Sequence, residues 1–451
     1  MEPLNNNNRG FSSNLGAILA ATGGAIGLGN IWRFPYTVGV NGGGAFILMY
    51  IIFVFLLGVP ILMSEIVIGR RSLQNVMGAF KVLAPKHKAW LGVGILSIVA
   101  ALVIYAFYSV VAGWTLNYIV LSGSGQLSGK SPAEISQLFA DFTHGSLWPL
   151  VCQFVFLGLT AGIVILGVQK GIEKYTKILM PILLLLMILM CIRSLTLDGA
   201  RQGIDFLFKP DFSKINGNSV LDALGQALFS LSIGMGAVCT YGSYIRKQDN
   251  LFTTSLWIAG ADTFIAILAG VAIFPAVFAF GLSPAAGPSL VYEVLPNVFN
   301  SMPGGMAFAV GFFMLLSIAA LTSTISLLEV LVLWAVEELH WSRRKAAIIL
   351  SLVVFSIGVF CTLSFGPLSH VTIFGLTIFD LCDKLTATYM MPIGALLFTL
   401  FIGWYLPKVD VYDELSNSGQ LKARYFKIYY FIVKYIAPLA LIIILLTGIF
   451  S

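Results

Sequence analysis

The sequence predicts an all-α polytopic membrane protein with eleven transmembrane helices: a 5+5 inverted repeat in which helices 1 and 6 are broken, plus one extra helix. Three observations predict it. Of 451 residues, 58% are hydrophobic and only 10% charged, with mean hydropathy +0.92, whereas soluble domains are about 25% charged. Apolar runs long enough to cross a bilayer, which takes about 20 residues, recur along the whole chain. Two of these runs carry related glycine patterns, AIGLG at 25–29 and SIGMG at 232–236.

The spans are expected near 13–37, 43–69, 89–121, 147–167, 172–194, 220–243, 252–281, 306–337, 346–364, 372–403 and 428–450. A cleavable signal is not expected, because MEPLNNNNRG is polar and the first apolar run is itself long enough to span. An odd number of spans puts the termini on opposite sides. With the N-terminus in the cytoplasm, 18 Lys and Arg of the connections lie inside and 5 outside, so the N-terminus is expected inside and the C-terminus outside. The third and eighth runs exceed the minimum and should tilt or protrude. The chain therefore divides into a cytoplasmic segment 1–12, a first five-helix repeat 13–194, an extracellular loop 195–219, an inverted repeat 220–403, a cytoplasmic loop 404–427 and an eleventh helix 428–451. Segment 282–305 is too apolar for a free loop and should fold back over the outer face.

Other function classes are disfavoured by the same residues. The net charge of +6 belongs to membrane loops rather than to a nucleic-acid surface. Cys152, Cys191, Cys239, Cys361 and Cys382 are scattered, mostly within apolar runs, and form neither a disulfide framework nor a metal site. His87, His144, His340 and His370 sit at span ends or in loops without a metal-binding spacing, and no catalytic constellation is present, so an enzyme is not expected.

The stretch 21–30, ATGGAIGLGN, places four glycines in the middle of a span, a poor recipe for helix. Its echo at 232–236 lies at the corresponding place in the sixth span. Backbone carbonyls and amides exposed in hydrocarbon cost several kcal/mol each unless something satisfies them. A cation can accept the freed carbonyls and an anion the freed amides. Paired interruptions of this kind point to a transport site. Close helix packing through small residues is the simpler alternative.

The residues GGAIGLGNIWRFPY followed by NGGGAF resemble the signature of the neurotransmitter:sodium symporter family. The likeness continues through GWTL in span three, LFSLSIGMGAVCTYGSYIRK in span six and ALTSTIS in span eight. Eleven spans resemble a bacterial branch that moves several hydrophobic amino acids. The resemblance implies sodium-coupled import by alternating access, with two sodium ions per cycle and with the bilayer, but no obligatory protein and no nucleic acid, as partner. A mid-membrane site is what the resemblance implies as well.

The resemblance implies a first sodium site at Ala25, Asn30 and Ser230, completed by the substrate carboxylate. Here the chain carries Asp262 where many relatives carry Asn, and an intramembrane carboxylate is functional by default. Chloride-dependent relatives bind an anion nearby; a fixed charge at Asp262, with Tyr50 beside it, would replace that anion and make transport independent of chloride. A second sodium site maps to Gly23, Ile26, Ala319, Thr322 and Ser323, of which 319, 322 and 323 share one helix face. Hydroxyls in membrane helices are otherwise usually bonded to the preceding turn.

The same likeness maps the substrate carboxylate to the amides of Leu28 and Gly29 and the hydroxyl of Tyr108. Its ammonium group maps to carbonyls of the unwound segments, including Ala25, and to Ser230 and Ser232. Amine carriers have an aspartate at the position of Gly27, so glycine there implies an amino acid that brings its own carboxylate. The side-chain pocket maps to Ile104, Tyr108, Phe229, Met235, Ser323 and Leu327. It is apolar, and the flexible Met235 favours a range of aliphatic and aromatic side chains.

For gates, the resemblance pairs Arg33 with Asp383, or with Asp380, under an inner lid of Tyr108 and Phe229. On the cytoplasmic side it implies Glu337 with Tyr244 nearby and Arg9 as a candidate partner. Glu65 is expected to accept hydrogen bonds from unwound backbone, and Glu329 has no assigned role. Gly171 and Pro181 should weaken helix 5 near the cytoplasm, either as a simple kink or as a route for water to the second sodium. A channel and a non-transporting amino acid sensor on the same fold are the alternative readings.

Overall fold

The computed structural model describes residues 10–281, 291–300 and 302–450. Among the described residues the only pairing outside helices is one isolated bridge, Ile373 with Leu376. Among the described residues, nine uninterrupted helices are long and apolar enough to cross a membrane: Gly44–Ser72, Lys88–Gly123, Leu147–Ile165, Val168–Leu195, Leu251–Ala279, Gly305–Glu338, Arg343–Leu363, Ile378–Tyr405 and Phe426–Gly448. The remaining two expected spans are the interrupted ones. The first consists of Asn14–Ala25 and Gly29–Val40, bent by 50° at the break. The sixth consists of Gly217–Ser230 and Ala237–Gly242, each too short to cross alone.

Local chemistry stops both helices. In the sixth span Ser232, Gly234 and Gly236 adopt φ of +56°, +89° and +77°, a left-handed region that cannot continue a right-handed helix. Gly234 is also needed for close approach, because a Cβ there would lie 2.1 Å from the Met391 carbonyl oxygen of the tenth span. Its freed amide donates to Glu65 Oε1 at 2.6 Å, the geometry expected for Glu65. In the first span Ile26 turns to an extended conformation, and Asn30 Oδ1 accepts the Gly27 amide at 3.1 Å. The broken backbone is thus partly satisfied by side chains of neighbouring helices.

One boundary and the connections differ from expectation. The tenth span begins at Ile378 rather than 372, because Thr377 caps it by accepting the Asp380 amide and the preceding residues turn on themselves. The connections hold short helices, Val76–Leu83, Pro132–His144, Ala200–Phe208 and Lys408–Leu415, of which the sequence showed none. Within 282–305, the residues 282–290 and 301 lie outside the described residues. The described part forms Val294–Asn300 and buries Tyr292 against the third span. There Tyr118 donates to the Tyr292 carbonyl at 2.8 Å, and the Tyr292 hydroxyl donates to the Val111 carbonyl at 3.2 Å.

At the end of the bundle that carries residue 10, the buried Arg70 ties the end of the second span to two connections. It bonds to Glu414 Oε1 at 2.5 Å, to the Asp249 carbonyl at 2.7 Å and to Asn417 Oδ1 at 3.0 Å. A buried guanidinium with every direction partnered avoids the cost of an isolated charge.

Candidate functional site

The break in the first span, the break in the sixth, and the seventh and eighth spans converge at one place. Asp262 is fully buried there. Its Oδ1 accepts from Asn30 Nδ2 at 2.7 Å, and its Oδ2 accepts from Ser230 Oγ at 2.6 Å and from the Tyr50 hydroxyl at 3.3 Å. Tyr50 also donates to Ser230 Oγ at 3.2 Å. Three neutral donors around one carboxylate make a compact oxygen-rich cluster with a single fixed negative charge. Among the described residues no three His, Cys, Asp or Glu gather as a metal centre. One charge with hard oxygens suits a monovalent cation better than a divalent one, which takes several carboxylates. Asn30 turns its amide nitrogen toward Asp262 and its oxygen toward the Gly27 amide, so its carbonyl is not aimed at the cluster in this state.

Thr322 and Ser323 lie across the first break. Thr322 Oγ1 donates within its own helix to the Ala319 carbonyl at 3.0 Å and reaches the Ile26 carbonyl at 3.4 Å. Ser323 Oγ lies 3.4 Å from the carbonyls of both Gly24 and Ile26. The Thr322 hydroxyl is therefore back-bonded, and both hydroxyls reach across the gap to the broken backbone. Gly23 packs on the Cβ of Thr322, with 3.3 Å for an added Cβ.

Between these clusters lies a small cavity of about 30 Å³, lined by Gly24, Ala25, Gly27, Gly29, Ile104, Tyr108, Phe229, Ser232, Met235, Ser323, Leu327 and Met391. The structure brings together here nearly all the residues mapped to the side-chain pocket and the broken backbone; Gly24 and Met391 are additions. Met391 lies just before a proline in an apolar helix, and no local signal marks it. The Leu28 amide donates to the Tyr108 hydroxyl at 2.8 Å. Ser232 Oγ donates to the Gly24 carbonyl at 3.1 Å, linking the two breaks. A Cβ at Gly27 would fall 2.3 Å from Ser323 Oγ and 2.6 Å from the Tyr108 hydroxyl, so no side chain fits there without displacement. Gln226 donates to the Gly29 carbonyl at 3.1 Å; a polar residue one turn before Ser230 in an apolar run was the available signal for it.

The gate residues are placed as follows. Arg33 does not form a direct ion pair with Asp383 or Asp380. Its guanidinium stacks over the Phe229 ring at 4.3 Å, where cation–π attraction holds it, and acts on Asp383 only through its charge at longer range. Asp380 is occupied by Thr377, whose hydroxyl donates to Oδ2 at 2.7 Å. At the opposite end, Tyr244 donates to Glu329 Oε1 at 2.6 Å and lies near enough to Glu337 to feel its charge. Glu329 is fully buried and Arg343 grips it through both Nη atoms, Nη1 at 3.0 Å. A buried carboxylate must be paired, and Glu329 lies two turns deeper than Glu337 on the same helix, so the tyrosine goes to it. Glu337 Oε2 instead accepts from Asn75 N at 2.6 Å and Nδ2 at 2.9 Å, holding the residue that caps Val76–Leu83. Arg9 lies outside the described residues.

Helix 5 is intact. Gly171 sits in a wide first turn, Val168–Glu173, and Pro181 within the continuous Lys174–Leu195. A Cβ at Gly171 would strike the Ile163 carbonyl at 2.2 Å, so close packing requires a glycine there. The sequence missed Glu173, which accepts from the Ser12 amide at 2.8 Å and the Ser12 hydroxyl at 2.5 Å and pairs with Lys177 at 2.6 Å.

The Glu329 cluster supports a stability prediction. Arg343→Met should destabilise the protein by about 3–5 kcal/mol, the usual cost of stranding a buried partner. Adding Glu329→Gln should recover much of that loss. Thermal unfolding in detergent measures both, and a double variant no more stable than the single one would contradict the pairing.

The sequence model of the sodium:neurotransmitter symporter family matches residues 9–136 and 135–451. The chain belongs to the sodium:neurotransmitter symporter family. It is similar to the uncharacterised sodium-dependent transporter YhdH of Bacillus subtilis (strain 168), at 42% identity over 436 residues, covering 97% of this chain and 96% of that protein. An uncharacterised sodium-dependent transporter of Haemophilus influenzae is 37% identical over 460 residues, covering both chains completely. The crystal structure of MhsT in complex with L-phenylalanine matches at a TM-score of 0.90 and 44% identity, covering 98% of this chain and 99% of that one. This sodium symporter is therefore a multi-pass membrane transporter and not an enzyme.

Proposed function

We propose that the symporter imports hydrophobic L-amino acids, both aliphatic and aromatic, across the cell membrane, coupled to two sodium ions per cycle and independent of chloride. The observation that carries this reading is the pairing of an apolar cavity, closed at Gly27 to any side chain, with a buried carboxylate at Asp262 beside it. A glycine at 27 supports a ligand that brings its own carboxylate, and Asp262 would supply the negative charge that an anion otherwise provides. MhsT, solved with L-phenylalanine, supports the substrate class.

Asn30, Ser230, Asp262 and the Ala25 carbonyl would hold one sodium together with the substrate carboxylate. The carbonyls of Gly23, Ile26 and Ala319 with Thr322 and Ser323 would hold the second. The Leu28 and Gly29 amides and the Tyr108 hydroxyl would take the carboxylate. The ammonium group would meet Ser232 and the freed carbonyls, with Ile104, Phe229, Met235 and Leu327 around the side chain. The Lys and Arg bias supports a cytoplasmic N-terminus and an external C-terminus, with repeats over 13–194 and 220–403.

In the cycle, sodium and substrate enter from outside, Phe229 closes over them with Arg33 upon it, and the inner end opens once Glu329, Tyr244 and Arg343 separate. Loosening of helix 5 between Gly171 and Pro181 would admit water to the second sodium. Each charge moving inward supplies about 2.3 kcal/mol at 100 mV. Two ions thus supply about 4.6 kcal/mol, roughly a thousandfold accumulation, before any chemical gradient.

The test is uptake of radiolabelled phenylalanine and leucine into proteoliposomes, with sodium and chloride varied separately. Saturable uptake that needs sodium and is unchanged when gluconate replaces chloride is expected. Uptake that requires chloride would overturn the role given to Asp262, and binding without accumulation would favour a sensor.

A further inference from the structure

We propose that Cys361 and Cys382 form a reversible disulfide that fastens the start of the tenth span to the end of the ninth and restrains the gate residue Asp383. Cys361 lies in the last turn of Arg343–Leu363 and is buried, whereas Cys382 lies near the start of Ile378–Tyr405 and is partly exposed. Their sulfurs are 3.9 Å apart. A disulfide at about 2.0 Å needs the sulfurs to close by roughly 1.9 Å from this position. Cys152, Cys191 and Cys239 are each buried. The 21-residue separation of the pair crosses a turn, which is why spacing alone did not reveal it.

The two helix ends are already held in register. The Phe379 amide donates to Ser364 Oγ at 3.3 Å, and Ser364 Oγ donates to the Cys361 carbonyl at 2.7 Å. Phe379 packs against Phe365 and Phe107, with ring centroids at 4.9 and 5.6 Å. Asp380 and Lys384, two residues either side of Cys382, are exposed, so an aqueous reagent can reach this turn. The neighbouring Asp383 feels the charge of Arg33, which covers Phe229 over the cavity. A covalent link at Cys382 therefore acts one residue from the outer gate. In the orientation proposed above, this end faces the outside, where disulfides persist.

The chemistry is thiol–disulfide exchange with a disulfide of the surroundings as oxidant. The Cys382 thiolate attacks one sulfur of that disulfide and expels a thiolate. The Cys361 thiolate then attacks Cys382 Sγ and expels the second. Two S–H bonds are lost and one S–S bond forms between the cysteines. The reagent's S–S bond is reduced to two thiols, which take up the two protons by way of water.

The full-length protein in proteoliposomes is treated with 4,4′-dithiodipyridine, which performs this exchange and releases thiopyridone. Peptide mass spectrometry should find Cys361 and Cys382 joined. Phenylalanine uptake should fall several-fold, and dithiothreitol should restore it. Cys382→Ala should lose both the linkage and the sensitivity while keeping its uptake. A reagent adduct on Cys382 with Cys361 still open to alkylation after denaturation would overturn the pair. Complete linkage with unchanged uptake would overturn the restraint. The peptide analysis of the unaltered protein decides the linkage even if the variant fails to insert or the substrate proves to be different.

Discussion

Replacing Asp262 with asparagine is expected to lower the apparent sodium affinity about tenfold to a hundredfold in chloride-free medium, the effect of losing about 1.5–3 kcal/mol from one charged hydrogen-bonding partner. The side chains are nearly the same size, so packing should survive. What disappears is the single negative charge in a cluster otherwise built from Asn30, Ser230 and Tyr50. With the carboxylate gone, a mobile anion can restore the balance, so added chloride should return part of the lost uptake. Sodium titrations of uptake with chloride or gluconate as the anion measure both effects. Wild-type sodium dependence with no halide response would remove Asp262 from the ion site.

Gly27→Ala is expected to bring phenylalanine uptake close to background while leaving the protein folded. The added methyl would lie 2.3 Å from Ser323 Oγ and 2.6 Å from the Tyr108 hydroxyl, and the Tyr108 hydroxyl also accepts the Leu28 amide at 2.8 Å. Those side chains must swing away, which costs about 1–3 kcal/mol as overpacking and dismantles the proposed carboxylate cradle. Gly225→Ala serves as a control: it lies in the sixth span with nothing within 4 Å of an added Cβ and should leave uptake unchanged. Substrate titrations of both variants are the measurement. A Gly27→Ala protein with an unaltered KM would show that the amino acid binds elsewhere.

The membrane class, the order of spans and the places where two helices break were legible because each depends on local chain properties. Hydrocarbon forces long apolar runs, and glycine-rich stretches at 21–30 and 232–236 weaken helix wherever they occur. The helices hidden in the connections were not legible. Val76–Leu83, for instance, is capped by an Asn75 side chain whose own nitrogen is held by Glu337, a contact across 262 residues of chain.

Side-chain partnership followed the same division. Asp262 drew attention from the sequence as an unexplained charge in hydrocarbon, and burial then dictated that neighbours satisfy it. Which of two acids on the eighth span meets Tyr244 was open to the fold alone. Glu329 and Glu337 are chemically alike and two turns apart, and depth decided between them, since the deeper charge is the one that cannot be left to water. Arg33 resting on Phe229 rather than bonding Asp383, and the two cysteine sulfurs meeting across a turn, are likewise products of helix placement. Composition and glycine placement dictate what must be buried and where the backbone must yield. The tertiary structure decided who satisfies whom, because pairing energies fall off over a few ångströms and only packed helices set distances on that scale.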